Sequence, residues 1–279
     1  MGNIGKVVEC MNGARNSIVG SPDDCDLSEP IWGSVFKNPR QTKIKRLLNY
    51  EGGLILANVR IPLVKSVLEA NEEELLCEQL TGDEIKKYRD LMHPKRRLEW
   101  LAGRIAAKGA TRIYLGSNAP PPSTIKIDSS PDNAPYIVIK EEDTHSTLPY
   151  ISISHSSDIA VAVATYTPGV GIDVERVTDS ILNIADRFST NEEVEQMSEC
   201  TSHDRLIPLV SIWTIKEAAR KAISPKTCSM KELVLQDAQK EGEYIVCQIS
   251  HPTAGCLRSV TFQDNGYIYT ISLSREMAI

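Results

Sequence analysis

Apolar residues along the chain follow two spacings, one typical of helices and the other typical of strands. An apolar face that recurs every three to four residues predicts a helix over 95–109, which Gly109 would end. A second long helix is predicted from about 205 to 222. Thr81 begins an earlier helix, because Thr81 and Glu84 have the spacing of a capping box, in which each side chain satisfies a free N–H group.

Short apolar runs bounded by turn residues predict strands in two groups. These runs are 53–59, 125–127, 136–139, 150–154, 160–166 and 170–177, then 233–235, 244–249, 257–262 and 267–273. A further helix is predicted around 181–188, between the groups. The order is helix and then antiparallel strands, twice over, which favours an α+β fold over a parallel α/β sheet. The sequence contains no GxGxxG and no Walker loop, which argues against a Rossmann or P-loop nucleotide site.

Composition narrows the class of protein. The chain has 279 residues, 41% apolar and 24% charged, and no apolar run approaches the roughly 20 residues that span a bilayer. A net charge of −6 argues against non-specific nucleic-acid binding. The seven cysteines are scattered without a CxxC pair, and the N-terminus lacks an apolar signal core. We therefore expect reduced thiols, no zinc site and a cytoplasmic protein.

Two carboxylates alternate along one predicted strand. Asp173 and Glu175 lie two residues apart and so project from the same face, where they repel each other unless a cation lies between them. A solvent-facing strand edge would explain the pattern equally well. About 40 residues later, Glu217 and Lys221 lie four apart on the predicted helix, as a surface ion pair would.

Basic and polar residues elsewhere suggest an anion site. Arg97, Arg104 and Lys108 share one face of the helix over 95–109, and Ser154 and His155 end a strand. Each group has an ordinary structural interpretation when taken alone. Taken together with the carboxylates, they provide hard oxygen ligands beside phosphate-binding groups, which fits Mg²⁺ and phosphoryl-type transfer.

The motifs, in this order, resemble those of the 4'-phosphopantetheinyl transferases, and most closely the surfactin-synthetase-activating (Sfp) type. They are Ile153-Ser154-His155-Ser156, Gly171-Ile172-Asp173-Val174-Glu175 and Trp213-x-x-Lys216-Glu217-Ala218-x-x-Lys221, with supporting segments at 97–108 and 185–189. The resemblance implies a pseudo-dimer in one chain, with two similar α+β halves that each pack a helix on a mainly antiparallel sheet. The expected divisions are an N-terminal extension of unknown role (1–50), an N-terminal half (51–168) and a C-terminal half with the metal-binding motifs (169–279).

The resemblance also implies a reaction. The phosphopantetheine arm of coenzyme A would pass to a serine of an apo acyl or peptidyl carrier protein, releasing adenosine 3',5'-bisphosphate. Asp173, Glu175 and Glu217 would hold Mg²⁺ against the pyrophosphate. Glu217 would also be the base for the serine, directly or through water, and Lys221 would stabilise the pyrophosphate.

The coenzyme A site implied by the resemblance contains Arg97, Arg104, Ser154, His155, Lys216 and Lys221. Many relatives have a basic residue upstream of the Ser-His motif, where this chain has Asn133-Ala134-Pro135. Arg97, Arg104 or Lys126 would then bind the 3'-phosphate. The protein is expected to be a monomer that binds neither nucleic acid nor membrane. The alternatives are a catalytically silent relative that acts as a scaffold for carrier protein or coenzyme A, and an unrelated Mg²⁺-dependent phosphohydrolase.

Overall fold

The computed structural model describes residues 39–139, 147–201, 204–223 and 228–274. Its helices are α1 (Pro39–Leu48), α2 (Ile61–Ala70), α3 (Glu72–Gln79), α4 (Gly82–Asp90), α5 (Pro94–Leu115), α6 (Asn191–Cys200) and α7 (Leu206–Ile223). Its strands are β1 (Leu54–Arg60), β2 (Lys126–Ser129), β3 (Pro135–Val138), β4 (Tyr150–Ser156), β5 (Ile159–Thr165), β6 (Val170–Arg176), β7 (Val234–Glu241), β8 (Tyr244–His251), β9 (Gly255–Asp264) and β10 (Tyr267–Ser274).

All of the strand pairs in these ranges are antiparallel. One sheet has the order β1-β5-β4, a second has the order β6-β10-β9-β8-β7, and β2 pairs with β3. The prediction of a mixed α+β fold with antiparallel sheets is therefore confirmed. No described helix is long and apolar enough to cross a membrane.

Three hydrophobic cores hold these layers together. Helix α5 packs on one face of the three-stranded sheet, and α7 packs on one face of the five-stranded sheet. The third core lies between the two sheets and includes Leu56 of β1, Ile172 of β6 and Phe262 of β9. Strand β1 shows why both sheet faces are covered: Leu54 and Leu56 enter the core between the sheets, whereas Ala57 and Val59 enter the core under α5. Such double burial explains its nearly continuous apolar sequence.

The structure corrects several element predictions. Helix α5 does not end at Gly109 but runs to Leu115, and Gly116, with φ of 80°, follows it. Gly109 is a buried residue within α5, and the packing of the helix outweighs the roughly 1 kcal/mol that glycine costs in a helix interior. The helix predicted over 181–188 is instead two short 3-10 turns.

Helices α1, α2, α3 and α6 were not predicted. Helix α1 lies inside the expected N-terminal extension (1–50) and buries Ile44, Leu47 and Leu48 in the core between the sheets. It is therefore more than the solvated basic segment that its lysines and arginines suggest. Residues 1–38 of that extension lie outside the described residues.

A buried Lys–Glu clamp joins three elements around α5. Lys108 is fully buried and donates from Nζ to Glu84 Oε2 at 2.5 Å and to the Gln79 carbonyl oxygen at 2.7 Å. Glu84 completes the predicted capping box with Thr81 at the start of α4, and its Oε1 accepts from the Ile127 N–H of β2 at 3.1 Å. One carboxylate therefore fixes α4, α5 and β2 together. Burial lowers the pKa of Lys108 to about 8.

The same clamp occurs again around α7, about 110 residues later. Lys216 is 2% exposed and donates from Nζ to Glu193 Oε2 at 2.8 Å and to the Phe188 carbonyl oxygen at 2.6 Å. Glu193 forms a capping box with Thr190 at the start of α6, and its Oε1 accepts from the Leu235 N–H of β7 at 3.0 Å. This carboxylate therefore joins α6, α7 and β7. Burial lowers the pKa of Lys216 as well.

We expect Glu193→Ala to lower the free energy of unfolding by about 3–5 kcal/mol, because it leaves Lys216 as a buried charge without its carboxylate. Urea unfolding followed by circular dichroism measures this loss. The control is Glu73→Ala, which breaks the exposed ion pair between Arg89 and Glu73 (2.7 Å) and should cost less than about 1 kcal/mol. Equal effects of the two variants would show that the clamp does not hold the fold.

Candidate active site

The approach of α7 to β6 is set by Gly171. A Cβ atom at this position would lie 1.9 Å from the Ala218 carbonyl oxygen and 2.8 Å from the Ala222 nitrogen, both backbone atoms of α7. A side chain at Gly171 would therefore clash with backbone that cannot rotate away. The missing side chain lets the helix lie directly on the strand, and this contact determines which helix residues reach the neighbouring carboxylates.

Asp173 follows two residues later on the same face and is 5% exposed. Its Oδ1 accepts from Lys221 Nζ at 2.8 Å and from Ser154 Oγ at 2.7 Å. Lys221 also donates to the Ile172 carbonyl oxygen at 3.0 Å. The structure thus brings together three of the predicted site residues, Asp173, Ser154 and Lys221, in one hydrogen-bonded group.

Glu175 lies next to this group along β6. Its Oε1 accepts from Ser156 Oγ at 2.6 Å. Burial raises the pKa of Glu175, the bond from Ser156 lowers it, and the nearby Asp173 carboxylate raises it again. The charge of Glu175 is therefore disfavoured, first by burial and then by the neighbouring Asp173 carboxylate, and a bound cation would relieve both effects.

Glu217 lies on α7 but does not converge with the other two carboxylates. Its Oε2 accepts from Arg220 at 2.7 Å. Within the described ranges, the single set of three potential ligand atoms that lie within 4.8 Å of one another belongs to other residues, discussed below. The predicted ligand set of Asp173, Glu175 and Glu217 is therefore near the same helix–strand contact but is not gathered around one point.

The donor chemistry nevertheless fits Mg²⁺. Carboxylate oxygens are the protein ligands that this ion takes, usually one or two of them beside water and substrate phosphates. The hydrogen bonds described above use Oδ1 of Asp173 and Oε1 of Glu175, so Oδ2 and Oε2 are the oxygens that would face an ion if one bound here. Glu217 would join them after its pair with Arg220 opened.

His155 lies next to Ser154 on β4 with its side chain exposed. Burial of part of the ring lowers the pKa of His155, and Glu99, Lys221, Asp173 and Lys95 are the charged groups that act on it. The imidazole is therefore close enough to the first turns of α5 and to the Asp173 group to feel their charges.

The structure differs from the expectation for Lys216. Its Nζ belongs to the second clamp, bonded to Glu193 and to the Phe188 carbonyl oxygen, so it does not line a phosphate site. The adjacent Trp213 packs edge-on against Phe188 with ring centroids 5.1 Å apart. Within the Trp-x-x-Lys-Glu-Ala motif, these two residues hold the helix in place.

Arg104 also differs from the expectation. It is 8% exposed, its guanidinium lies 4.7 Å from the centroid of the Trp100 ring, and its Nε lies 3.9 Å from Glu84 Oε1. The structure thus places Arg104 beside the first clamp and not in the Asp173 group. Lys126 pairs with Asp83 at 3.3 Å and Asp128 at 3.1 Å.

Arg97 lies on the first turns of α5 and is half-buried. Its Nη2 donates to the Leu91 carbonyl oxygen at 2.8 Å, and its guanidinium lies 5.3 Å from the centroid of the Tyr88 ring. These contacts hold the side chain against α4 without an acidic partner among them. Of the three basic residues considered for the 3'-phosphate, Arg104 and Lys126 lie beside carboxylates, whereas the hydrogen bonds of Arg97 go to a backbone carbonyl oxygen.

Sequence reasoning missed a second group of potential ligands, Cys228, Glu232 and His251, whose ligand atoms lie within 4.8 Å of one another. The His251 Nε2 atom is buried and lies 3.9 Å from Glu232 Oε2. The ring's Nδ1, however, accepts from the backbone N–H groups of Thr253 at 3.3 Å and Ala254 at 3.2 Å. An accepting Nδ1 places the proton of the neutral ring on Nε2, where it blocks metal ligation. We therefore assign no metal to this group.

Comparison with known proteins finds similarity to one enzyme superfamily. Residues 169–272 match the 4'-phosphopantetheinyl transferase superfamily. The 4'-phosphopantetheinyl transferase HetI of Nostoc sp. is 27% identical over 184 residues, which cover 64% of this chain and 75% of HetI. This C-terminal part of the chain is similar to the 4'-phosphopantetheinyl transferases. The resemblance inferred from the three motifs is thereby confirmed, and the matched region contains Asp173, Glu175, Glu217 and Lys221.

Further proteins are similar to this chain over shorter stretches. The 4'-phosphopantetheinyl transferase gsp of Aneurinibacillus migulanus is 32% identical over 74 residues, which cover 26% of this chain and 31% of gsp. Among solved structures, holo-[acyl-carrier-protein] synthase of Neisseria meningitidis has a TM-score of 0.37 at 19% identity, covering 40% of this chain and 95% of that one. The Helicobacter pylori synthase in complex with coenzyme A has a TM-score of 0.34 at 25% identity, covering 40% and 97%.

We expect Gly171→Ala to destabilise the protein by about 1–3 kcal/mol or more, because the new methyl group meets the backbone of α7 and forces it away from β6. The same shift would separate Lys221 from Asp173 and reduce transferase activity. Thermal melts and turnover measure the two effects. The control is Gly82→Ala, where no atom lies within 4 Å of the new Cβ, and stability should change by less than about 1 kcal/mol. A Gly171→Ala variant as stable as this control would contradict the packing described here.

Proposed function

We propose that this 4'-phosphopantetheinyl transferase works with Mg²⁺ held by Asp173, Glu175 and Glu217. The enzyme moves the phosphopantetheine arm of coenzyme A to a serine of an apo acyl or peptidyl carrier protein and releases adenosine 3',5'-bisphosphate. The observation that carries the proposal is the Asp173 group: a buried carboxylate that Lys221 and Ser154 orient, beside the like-charged Glu175.

In the proposed reaction, the serine oxygen attacks the β-phosphorus of coenzyme A, and the bond from that phosphorus to the bridging oxygen breaks. When bound, the ion neutralises charge on the pyrophosphate. Glu217 takes the serine proton, directly or through a water molecule. Lys221 hydrogen-bonds the pyrophosphate and so stabilises the charge that develops on the departing oxygen. Positioning and charge neutralisation supply most of the acceleration in reactions of this kind.

The coenzyme A site in this proposal is smaller than the sequence suggests. It retains Lys221, which donates to Asp173, His155, which follows Ser154 on β4, and Arg97 of α5. Ser154 takes part through Asp173, because its hydroxyl donates to that carboxylate. Lys216 and Arg104 are left out, since each lies beside the carboxylate of a buried clamp.

The two clamps support the proposal that the chain is a pseudo-dimer. In each clamp, a lysine of a long helix donates to a capping-box glutamate. The same glutamate accepts from a backbone N–H of the first strand that follows that helix. We assign the halves to 51–168 and 169–279, with 1–50 as an extension. Two halves in one chain would form the coenzyme A site without a second copy, so the enzyme is proposed to act as a cytoplasmic monomer.

Incubation of the protein with coenzyme A, Mg²⁺ and an apo carrier protein tests the activity directly. The intact mass of the carrier should rise by one phosphopantetheine arm, and chelation of the metal with EDTA should stop the reaction. A silent scaffold would bind carrier protein or coenzyme A without changing the mass. A phosphohydrolase would consume coenzyme A and leave the carrier unmodified.

Asp173→Asn should remove Mg²⁺-dependent turnover while the protein remains folded, because the amide keeps the shape of the side chain but loses the negative charge that an ion needs. Turnover at saturating Mg²⁺ is measured beside a thermal melt. Asp179→Asn, which changes an exposed carboxylate close by in the sequence, should leave turnover unchanged. Wild-type turnover in folded Asp173→Asn would refute the metal assignment.

His155→Ala and Lys221→Ala should each weaken coenzyme A binding, since each removes a contact to phosphate of roughly 1.5–3 kcal/mol, or about tenfold or more in affinity. Calorimetric titration with coenzyme A measures the change. Lys65→Ala, at an exposed lysine of α2 that pairs with Glu69, should bind as the wild type does. Unchanged affinity in both site variants would return His155 and Lys221 to a purely structural role.

A further inference from the structure

Three serines alternate along β4, and their hydroxyl groups face β6. Ser154 Oγ donates to Asp173 Oδ1 at 2.7 Å, and Ser156 Oγ donates to Glu175 Oε1 at 2.6 Å. Ser152, the third, contacts the β6 backbone. Because side chains two residues apart share one face of a strand, this serine row matches the spacing of the two carboxylates opposite.

The serine row joins two sheets. Strand β4 is the edge of the three-stranded sheet, and β6 is the edge of the five-stranded sheet. The Ser154–Asp173 and Ser156–Glu175 pairs are each separated by 19 residues, so the two strands run side by side in the same direction. The hydrogen bonds between β4 and β6 described here are therefore made by serine hydroxyls, where a continuous sheet would have backbone hydrogen bonds. Two of the three hydroxyls donate to the carboxylates assigned to the metal.

We infer that Ser156 is a positioning residue for Glu175, holding Oε1 so that Oε2 is presented to the ion. This inference rests on the proposed metal site. Groups that hydrogen-bond a ligating carboxylate fix its orientation, and their loss commonly weakens metal binding by 10- to 100-fold. Ser156 is 7% exposed, and its own Oγ accepts from the Arg176 N–H at 3.2 Å, which fixes the direction of the hydroxyl.

Glu175 depends on its serine more than Asp173 does. Asp173 Oδ1 has two donors, Ser154 and Lys221, so loss of one leaves the other. Glu175 Oε1 accepts from Ser156 and, at 3.2 Å, from the N–H of the next residue along the strand. That second bond is local to β6 and cannot tie the side chain to β4. Ser156 is therefore the contact that fixes Glu175 relative to the other half of the site.

The test is a titration of Mn²⁺, as a spectroscopic substitute for Mg²⁺, into the protein with coenzyme A present and no carrier protein, followed by electron paramagnetic resonance. Ser156→Ala should weaken Mn²⁺ binding about tenfold or more. Ser156→Thr, which keeps the hydroxyl, should bind within about threefold of the wild type. In turnover assays, excess Mg²⁺ should restore the rate of Ser156→Ala, because the ligand itself is still present.

Ser152→Ala is the matched control. Ser152 lies on the same strand and face, but its Oγ accepts from the Ile172 N–H at 3.1 Å and its removal should leave Mn²⁺ affinity within about twofold. Equal affinities of Ser156→Ala and Ser152→Ala would overturn the inference. If Ser156→Ala is unfolded by circular dichroism, Ser156→Cys replaces it, since a thiol fills the volume but donates weakly, and the same weakening is expected.

The same titration of Glu175→Gln tests separately whether Glu175 is a ligand of the ion and whether Ser156 positions it. Weaker binding by Glu175→Gln with unchanged binding by Ser156→Ala would mean that Glu175 is a ligand and Ser156 does not position it. Unchanged binding by Glu175→Gln would instead refute Glu175 as a ligand, and the inference about Ser156 would fail with it.

Discussion

The contact between the backbones of α7 and β6 at Gly171 is the constraint on which the site depends. A strand and a helix normally approach through their side chains, but here one partner has none, and the Ala218 carbonyl oxygen occupies the space of a Cβ atom. The short distance allows Lys221 to reach both Asp173 and the Ile172 carbonyl oxygen from the helix. The distance between Lys221 and Asp173 therefore depends on the absence of a side chain at Gly171.

Charge pairing is the second theme of the structure. Three cations of α7 have acidic partners: Lys221 has Asp173, Arg220 has Glu217, and Lys216 has Glu193. An anionic substrate that contacted these three cations would share them with their carboxylates or displace those carboxylates. A divalent ion would make that exchange favourable, because it takes over the carboxylates and leaves lysine free to face phosphate.

Sequence patterns predicted the parts of this molecule that depend on local spacing. The capping box at Thr81, strand β6 with its alternating carboxylates, and the family itself were all visible in short stretches. Lys216 was assigned to the coenzyme A site because the resemblance implied it, whereas its contacts on the helix depend on Glu193, which lies 23 residues away. Ser156 was visible as part of the Ile153-Ser154-His155-Ser156 motif, but its contact with Glu175 was not, since that contact exists only where β4 meets a strand of another sheet. The second capping box, at Thr190, was present in the sequence and could have been recognised.

The residues of the Trp-x-x-Lys-Glu-Ala motif and Lys221 on α7 have two kinds of role, one in packing and one at the site. Trp213 and Lys216 dock the helix against Phe188 and Glu193, and Ala218 lies against Gly171, while Lys221 reaches Asp173 and Glu217 pairs with Arg220. More than half of the residues that define this motif therefore hold the helix in place. A descendant of such an enzyme that lost the reaction but needed the same shape would keep those docking residues under selection. Its sequence would still match the motif at those positions. Within the motif, only changes at Glu217 and Lys221 would show that the reaction had been lost.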